Sequence, residues 1–280
     1  MTDPPAPGNP VADLFDAVAD TYDRVGVEFM GPIARGLVDA LDPRPGERAL
    51  DVGCGRGAVL FPLADAVAPG GRVTAIDLAP KMVAATAADL AAAGLDPDHV
   101  AVEVRVGDAM APDVEPRSVD LVASSLVLFF LPDPASALAS WRGLLVDGGR
   151  VGVSTFGAHS DAWHAVDGVF TSYLPADLPD PRNMGPESPF GSDAGVERLL
   201  ADAGFADVRT ITWTLPLRFA DADQWYRWSW SVGQRRMWLL VPEADRPAVR
   251  ARAEEALEAT RDEHGRIGFD QEIRYTLARR

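Results

Sequence analysis

The chain has 280 residues, of which 47% are hydrophobic and 24% charged, and 42 acidic side chains against 26 Lys and Arg give a formal net charge of −16. A chain of this length can bury a sizeable core, whereas so anionic a surface repels nucleic acids and anionic membranes at long range. The single cysteine, Cys54, excludes an internal disulfide framework and a cysteine-based zinc site.

The ends and the apolar runs of the sequence favour a cytoplasmic protein. The longest apolar run, around residues 126–131, is too short to span a bilayer, and residues 1–10 lack the basic-then-apolar pattern of a secretory leader. Those first ten residues hold four prolines and a glycine, which predicts a disordered or loosely attached tail. Residues 11–280 are predicted to form a single domain.

Two helices are predicted ahead of the first strand. Apolar residues recur at helical spacing over residues 11–24, and a second apolar helix is predicted over residues 29–41. Together these helices form a predicted N-terminal cap, residues 11–45, that covers the sheet before it starts.

A glycine-rich loop follows the first predicted strand. The run 49–52 includes the acid Asp51, and Gly53, Gly55 and Gly57 then permit a tight turn before a helix predicted over residues 58–67. Such a loop lets a ligand approach backbone N–H groups without an intervening Cβ. The third glycine comes two residues after the second, where the dinucleotide fingerprint requires three. A carboxylate at this loop would repel a pyrophosphate but attract an ammonium or sulfonium group.

The acid followed by Gly-x-Gly-x-Gly resembles the first motif of the class I S-adenosylmethionine-dependent methyltransferases, in particular their small-molecule branch of UbiE-like and natural-product enzymes. The resemblance covers roughly residues 45–215 and the last strand. It implies transfer of a methyl group from S-adenosylmethionine to an oxygen, nitrogen or carbon atom of a small-molecule metabolite by in-line displacement. Such a reaction needs alignment of two reactants and no nucleophile from the protein.

The rest of the chain alternates strands with helices. Further strands are predicted over residues 72–76, 100–106, 119–124, 150–156, 208–215 and 269–277. Helices are predicted over residues 80–93, 134–146, 193–203 and 247–263, with one or two more in 221–240. This order predicts an α/β fold with a doubly wound, mostly parallel seven-stranded sheet, the Rossmann-like methyltransferase fold, whose ligands lie at the carboxyl ends of the strands.

Acidic residues stand at the predicted carboxyl ends of three strands, at Asp51, Asp77 and Asp108. The Asp77 carboxylate offers two acceptors to the two hydroxyls of a ribose, or it caps the following helix. The resemblance implies that Asp108 accepts from the adenine amine and that Tyr22 lies against the sulfonium, unless Tyr22 is a core residue of its helix. The full predicted cofactor set is Tyr22, Asp51, Gly53, Cys54, Gly55, Gly57, Asp77, Leu78, Met82, Gly107, Asp108, Ala109, Met110, Ser124, Ser125 and Phe129.

Two segments extend the minimal fold and are predicted to shape the acceptor site. Residues 157–192 are rich in proline, at positions 175, 179, 181, 186 and 189, and predict a lid loop. In it His159, just past the fifth strand, is the candidate general base and His164 the alternative, unless either is a solvated lid residue. A metal site is rejected because the two histidines have no matching carboxylates.

The second segment, residues 217–268, is predicted to be a helical insertion that forms an acceptor lid. Five of the seven tryptophans fall on or just before its first half. They either roof a pocket for a flat or apolar metabolite or seal the insertion onto the sheet or a second subunit, and sealing is the usual role of clustered aromatics. Arg235 and Arg236 could bind an acidic acceptor unless they are solvated. The predicted substrate residues are His164, Trp225, Trp228 and Arg235.

Phe129 and Phe130 stand where many members of the resembled family carry a histidine, which removes a candidate base and predicts an apolar wall. Other functions remain compatible with this fold. The chain could bind S-adenosylmethionine and catalyse a different reaction such as a cyclisation, or act as a metabolite-binding regulator or scaffold. A nucleotide-dependent oxidoreductase is the remaining enzyme alternative. The methylated element, the acceptor and the oligomeric state, including a homo-oligomer, are left open.

Overall fold

A seven-stranded mixed sheet organises the protein in the computed structural model, which describes residues 9–175 and 188–280. The strands are β1 (Arg48–Val52), β2 (Gly71–Asp77), β3 (Val100–Val106), β4 (Val119–Ser125), β5 (Leu145–His159), β6 (Ala206–Phe219) and β7 (Ile267–Arg279). Their order is β3-β2-β1-β4-β5-β7-β6, with β1 to β5 paired in parallel and β7 antiparallel to both β5 and β6. The predicted α/β architecture is confirmed, including the pairing of the last strand with the sixth.

Helices cover both faces of this sheet. They are α1 (Pro10–Asp16), α2 (Met30–Leu41), α3 (Leu60–Val67), α4 (Pro80–Ala93), α5 (Pro134–Leu144), α6 (Asp161–Asp167), α7 (Asp193–Asp202), α8 (Ala222–Ser231), α9 (Arg235–Leu240) and α10 (Arg246–Glu258). Local signals set many of their ends. In α5, Pro134 occupies the first turn and the Asp133 carboxylate accepts from Ser136 N at 3.0 Å. Within the described ranges, no helix combines the length and the apolar character that crossing a membrane requires.

The sheet separates two apolar layers. Leu50, Val52 and Trp141 belong to the layer beneath α5 and α7, and Ile33 and Leu121 belong to the larger layer on the other side. Most residues of β1 and β4 are buried, and apolar residues predominate in both strands, as is typical of central parallel strands.

The helix predicted over residues 11–24 is wrong in its second half. Helix α1 ends at Asp16, and residues 17–23 form turns that end at Asp23, whose φ is +54°. The Asp23 carboxylate accepts from Phe29 N at 3.3 Å and Met30 N at 3.2 Å, so it caps α2 instead of continuing the first helix. Burial raises the pKa of Asp23 to about 6.

The predicted lid loop, residues 157–192, is also corrected in part. Strand β5 continues to His159, and Ser160 then caps α6 by accepting from Trp163 N at 3.2 Å. A 3-10 helix over Gly168–Tyr173 follows. Residues 157–173 are therefore mostly helix and strand where an irregular loop was predicted, and Pro179, Pro181 and Pro186 lie outside the described residues.

Aromatic packing closes the insertion over one end of the sheet. Trp238 of α9 is fully buried, lies 4.8 Å from Phe170 between ring centroids, and stacks on Trp230 at 5.8 Å. Its Nε1 donates to Ser229 Oγ at 2.8 Å, so its polar atom is satisfied without water. These contacts fit the sealing role of the tryptophan cluster.

Candidate active site

The glycine loop after β1 depends on backbone geometry that only glycine supplies. Gly53 has a φ of +73°, and a Cβ there would lie 2.3 Å from Val127 Cγ2. The backbone N–H groups of Gly53 and Cys54 both donate to Ile76 O, at 2.8 and 2.9 Å. The loop is therefore held against the end of β2, with no room for side chains at its start.

Asp77 fastens the same loop from the end of β2. Its Oδ2 accepts from Gly55 N at 2.8 Å and its Oδ1 from Ala79 N at 2.9 Å. Burial raises the pKa of this carboxyl, and the two backbone hydrogen bonds oppose that rise. The cap-like contact to Ala79 is thus present, and since each carboxylate oxygen can accept a second bond, acceptor capacity remains for a ligand.

Asp51 lies beneath the loop as an orphaned carboxylate. Its exposed fraction is 0%, and neither oxygen forms a hydrogen bond of normal geometry within the described part of the chain, although the Leu60 backbone N–H opposes the rise in its pKa. Burial, followed by the negative charge of Asp77, raises the pKa of Asp51 to about 8. A buried acid without a partner is costly, so this site fits a ligand that brings a positive charge close to the loop.

A cleft of about 920 Å³ runs along the carboxyl ends of β1 to β4. Eleven of the sixteen predicted cofactor residues line it, namely Tyr22, Gly53, Gly55, Asp77, Leu78, Met82, Gly107, Asp108, Ala109, Met110 and Ser125. The other five are off its wall. Asp51, Cys54 and Ser124 are buried, Gly57 packs against Phe61, and Phe129 faces the neighbouring cavity described below.

Residues of the N-terminal segment contribute to the wall of this cleft. Phe15 and Tyr22 lie on its wall, and burial raises the pKa of Tyr22. Arg56 of the glycine loop donates to Ala19 O and bonds Asp89 at 2.6 Å, and Asp89 also pairs with Arg24 at 2.5 Å. The cap is therefore tied to the loop and to α4 by charged groups on both sides.

A second cavity, of about 940 Å³, adjoins the cleft, and most of its lining side chains are apolar, with Gln234, Arg236 and Gln271 among the polar ones. The two spaces share four wall residues, Phe15, Tyr22, Leu126 and Phe130. Leu126 has a φ of +56° and is held there because its N–H donates to Ser154 O and lies 3.1 Å from Ser154 Oγ. A molecule in this cavity would touch the same side chains as a molecule in the cleft.

The predicted substrate residues divide in the structure. Trp228 lines the apolar cavity, but three others do not. His164 is exposed on α6, Trp225 is fully buried 6.1 Å from Trp238, and Arg235 lies over the Trp230 ring at 5.3 Å. Their predicted contact with the acceptor is corrected to packing or surface positions, because the turn of α8 and α9 directs neighbouring residues to the cavity.

Several cavity residues carried no distinct sequence signal. These are Phe15, Phe29, Phe156, Trp163, Gln234 and Gln271. The Phe129–Phe130 pair does line the cavity, as the predicted apolar wall requires. For Arg236 the available signal was its place in the Arg235–Arg236 pair, which the sequence could not resolve into one inward and one outward residue.

The candidate base His159 lies directly behind the cavity wall. Its ring stacks on Trp163 at 3.6 Å between centroids, and its Nδ1 is 3.1 Å from Gln271 Oε1. Gln271 Nε2 donates to Glu272 O at 2.9 Å, which turns Oε1 toward the histidine. This orientation lets a proton on His159 Nδ1 be donated to Gln271 Oε1.

Comparison with known proteins agrees with this geometry. Residues 50–153 match a family model described as a methyltransferase domain. The chain is 40% identical to nocamycin O-methyltransferase of Saccharothrix syringae over 254 residues, 85% of this chain and 87% of that protein. It is also 40% identical to aklanonic acid methyltransferase DauC of Streptomyces sp. strain C5 over 168 residues, 60% of this chain and 74% of that protein. The chain belongs to the class I S-adenosylmethionine-dependent methyltransferases.

The methyltransferase fold is shared with solved structures as well. The YcgJ protein of Bacillus subtilis superposes with a TM-score of 0.60 at 16% identity, covering 88% of this chain and 97% of that one. The predicted family, cofactor and small-molecule acceptor are confirmed, and the cyclase, regulator and oxidoreductase alternatives are not favoured. The orphaned Asp51 carboxylate fits the cofactor, because S-adenosylmethionine carries both an ammonium and a sulfonium group.

Proposed function

We propose that this methyltransferase transfers a methyl group to an oxygen atom of a flat, largely apolar specialised metabolite. The observation that carries the proposal is the aromatic cavity that shares four wall residues with the cofactor cleft. The oxygen atom and the metabolite class are supported by the names of the relatives, one an O-methyltransferase for nocamycin and one a methyltransferase for aklanonic acid.

The predicted cofactor residues have distinct proposed roles. Asp51 faces the cationic methionine end, Asp77 accepts from the ribose hydroxyls, and Asp108 accepts from the adenine amine. Asp108 Oδ1 already accepts from Met110 N at 2.8 Å, which orients the carboxylate and leaves acceptor capacity for the base. Tyr22 and Phe15 close the cleft near the reacting centre.

Bound S-adenosylmethionine supplies an electrophilic methyl group, which forms a bond to the acceptor oxygen while the electron pair of the broken carbon–sulfur bond stays on sulfur. The residues of the chain act by alignment, which can contribute about 7–11 kcal/mol toward lowering the barrier. The apolar walls, including Phe129, Phe130 and Phe156, exclude water from the point where charge is lost.

Formation of S-adenosylhomocysteine from a pooled extract of specialised metabolites tests the proposal. We expect a product 14 mass units heavier than one component, with the new methyl group on oxygen by nuclear magnetic resonance. A methyl group on nitrogen or carbon would contradict the proposed chemistry, and cofactor binding without turnover on any component would contradict the proposed acceptor class.

We also propose that His159 removes the proton of a hydroxyl acceptor. His159→Ala is expected to lower kcat about 100-fold, since positioned general bases contribute roughly that much or more, and to leave cofactor affinity unchanged. His164→Ala is the matched control, because His164 is exposed on the adjoining helix, and its kcat is expected to change less than about twofold. Equal rates for wild type and His159→Ala would remove His159 from the reaction.

The division of the chain is proposed on the same grounds. Residues 11–45 act as the cap over the cofactor, and residues 217–268 act as the acceptor lid. The lid contributes Trp228, Val232, Gly233, Gln234, Arg236, Met237 and Leu240 to the cavity wall. Exchange of this insertion between relatives is expected to change the acceptor while the cofactor stays the same.

A further inference from the structure

Two residues that line the apolar cavity carry buried polar atoms without a partner among the residues that the structure describes. Gln234 and Trp228 line it and are 5% and 4% exposed. Gln234 Oε1 and Trp228 Nε1 each lack a hydrogen-bond partner among the described residues. Leaving a buried donor or acceptor unpaired is unfavourable, so the pair indicates polar atoms that arrive with a ligand.

The orientation of Gln234 follows from its own contacts. Its Nε2 donates to Asp167 Oδ1 at 2.8 Å, and because a carboxylate only accepts, the amide nitrogen must face Asp167. The opposite atom, Oε1, is therefore a buried acceptor that requires an O–H or N–H group. Trp228 Nε1 is a donor and requires an oxygen.

Arg236 adds a positive charge to the same wall. It is half-buried, lines the cavity, and has no ion-pair or side-chain hydrogen-bond partner among residues 9–175 and 188–280. Other arginines of this chain, such as Arg56 and Arg150, sit in close ion pairs. In a protein with a net charge of −16, an unpaired guanidinium inside an aromatic cavity is a site for an anionic oxygen.

We propose that the acceptor is an oxygen acid whose ionised group, a carboxylate or an enolate, is anchored by Arg236 and Trp228 Nε1. A hydroxyl of the same molecule donates to Gln234 Oε1. This inference rests on the proposed function and assigns its substrate class: a flat hydroxylated acid, with the anionic group held at the α8–α9 end of the cavity. These three side chains determine specificity and take no part in bond making.

The charge requirement is tested with 2-naphthoate and 2-naphthamide, which share a shape and differ in charge. Binding is measured by quenching of tryptophan fluorescence, with S-adenosylhomocysteine at saturation. We expect wild type to bind the acid at least tenfold more tightly, as one charge-assisted contact allows. Arg236→Gln should reduce this preference to within twofold. Arg235→Gln removes a neighbouring guanidinium that does not lie on the cavity wall, and this variant should preserve the preference.

The neutral contacts have their own matched variants. Trp228→Phe and Trp225→Phe each remove an unpaired buried N–H, but only Trp228 lines the cavity, so only Trp228→Phe should weaken binding of 2-naphthoate, by about fivefold. In a series of hydroxy-2-naphthoates, at least one isomer should bind to the wild type more tightly than 2-naphthoate does. This gain in affinity should be lost in Gln234→Leu.

The outcomes separate the two proposals. Equal binding of acid and amide, no binding of either, or the same loss in Arg235→Gln as in Arg236→Gln would overturn the inference, and the proposed function would stand if S-adenosylhomocysteine binds. Failure of wild type to bind S-adenosylhomocysteine would contradict the proposed function instead. In that case the preference for acid over amide, measured without cofactor, would still decide the inference.

Discussion

Asp51→Asn is expected to weaken S-adenosylmethionine binding by about 100-fold. The substitution keeps the shape of the side chain and removes the negative charge that has no partner within the described part of the protein. Loss of a buried, charge-assisted contact costs about 2–3 kcal/mol, which corresponds to that ratio. Isothermal titration calorimetry measures the dissociation constant directly.

The matched control is Asp65→Asn, which removes an exposed carboxylate from α3 just beyond the same loop. Its affinity is expected to stay within twofold of wild type. Equal affinities for Asp51→Asn and wild type would show that the buried carboxylate does not face the cationic end of the cofactor.

The same carboxyl predicts a dependence on pH. Burial and the charge of Asp77 raise the pKa of Asp51 to about 8 in the free protein, so most molecules hold the proton at pH 7. A cationic ligand prefers the ionised form, and cofactor affinity should therefore rise about tenfold between pH 7 and pH 9 and then level off. The ammonium group of the ligand also titrates near pH 8. The contribution of Asp51 is therefore the difference in binding free energy between wild type and Asp51→Asn at each pH.

The stability of the protein without cofactor should decrease with rising pH, whereas cofactor affinity increases. The folded protein holds the Asp51 proton more tightly than the unfolded chain, whose carboxyl has the ordinary pKa of 3.8. The contribution of Asp51 to the free energy of unfolding therefore falls as the pH rises from about 4 to about 8. Denaturant titration of both proteins across this window should show a gain for Asp51→Asn that grows toward pH 8.

Trp238→Ala is expected to destabilise the protein by about 3–5 kcal/mol. Trp238 is fully buried among Phe170, Trp225 and Trp230, and its removal leaves a large cavity and an unpaired Ser229 hydroxyl. The melting temperature should fall by on the order of 10 °C. Calorimetry and urea unfolding report both values.

Trp213→Ala is the matched control, since the same atoms are removed from a side chain that is 39% exposed on β6. It should cost no more than about 1 kcal/mol. If the two variants lost similar stability, the cluster around Trp238 would not be the seal of the insertion.

Much of the cofactor cleft could be predicted from local sequence because its groups stand at strand ends. Side chains alternate between the two faces along a strand. Where such a strand ends at a glycine, its last side chain and the backbone that follows lie at one edge of a parallel sheet. Asp77, Asp108 and Met110 thus reach the same cleft although they are separated along the chain. The fold and this edge follow from short-range patterns.

The acceptor cavity could not be predicted residue by residue. Arg235 and Arg236 are chemically identical neighbours, and only the rotation of α9 against Trp230 and Phe170 places Arg236 on the cavity wall and Arg235 over the Trp230 ring. Phe15 reaches both spaces because the chain turns after Asp16, where Asp23 caps α2 and so interrupts the first helical pattern.

The sequence by itself determined the alternation of strands and helices, the glycine loop and the acids that stand at the strand ends. These features depend on periodicity and on backbone conformations that few residues adopt. Only the tertiary structure decided that Asp51 is buried without a well-formed hydrogen bond among the described residues and that Gln234 and Arg236 meet at one wall. Burial, and the direction in which a packed helix presents each side chain, are set by long-range contacts that no local pattern contains.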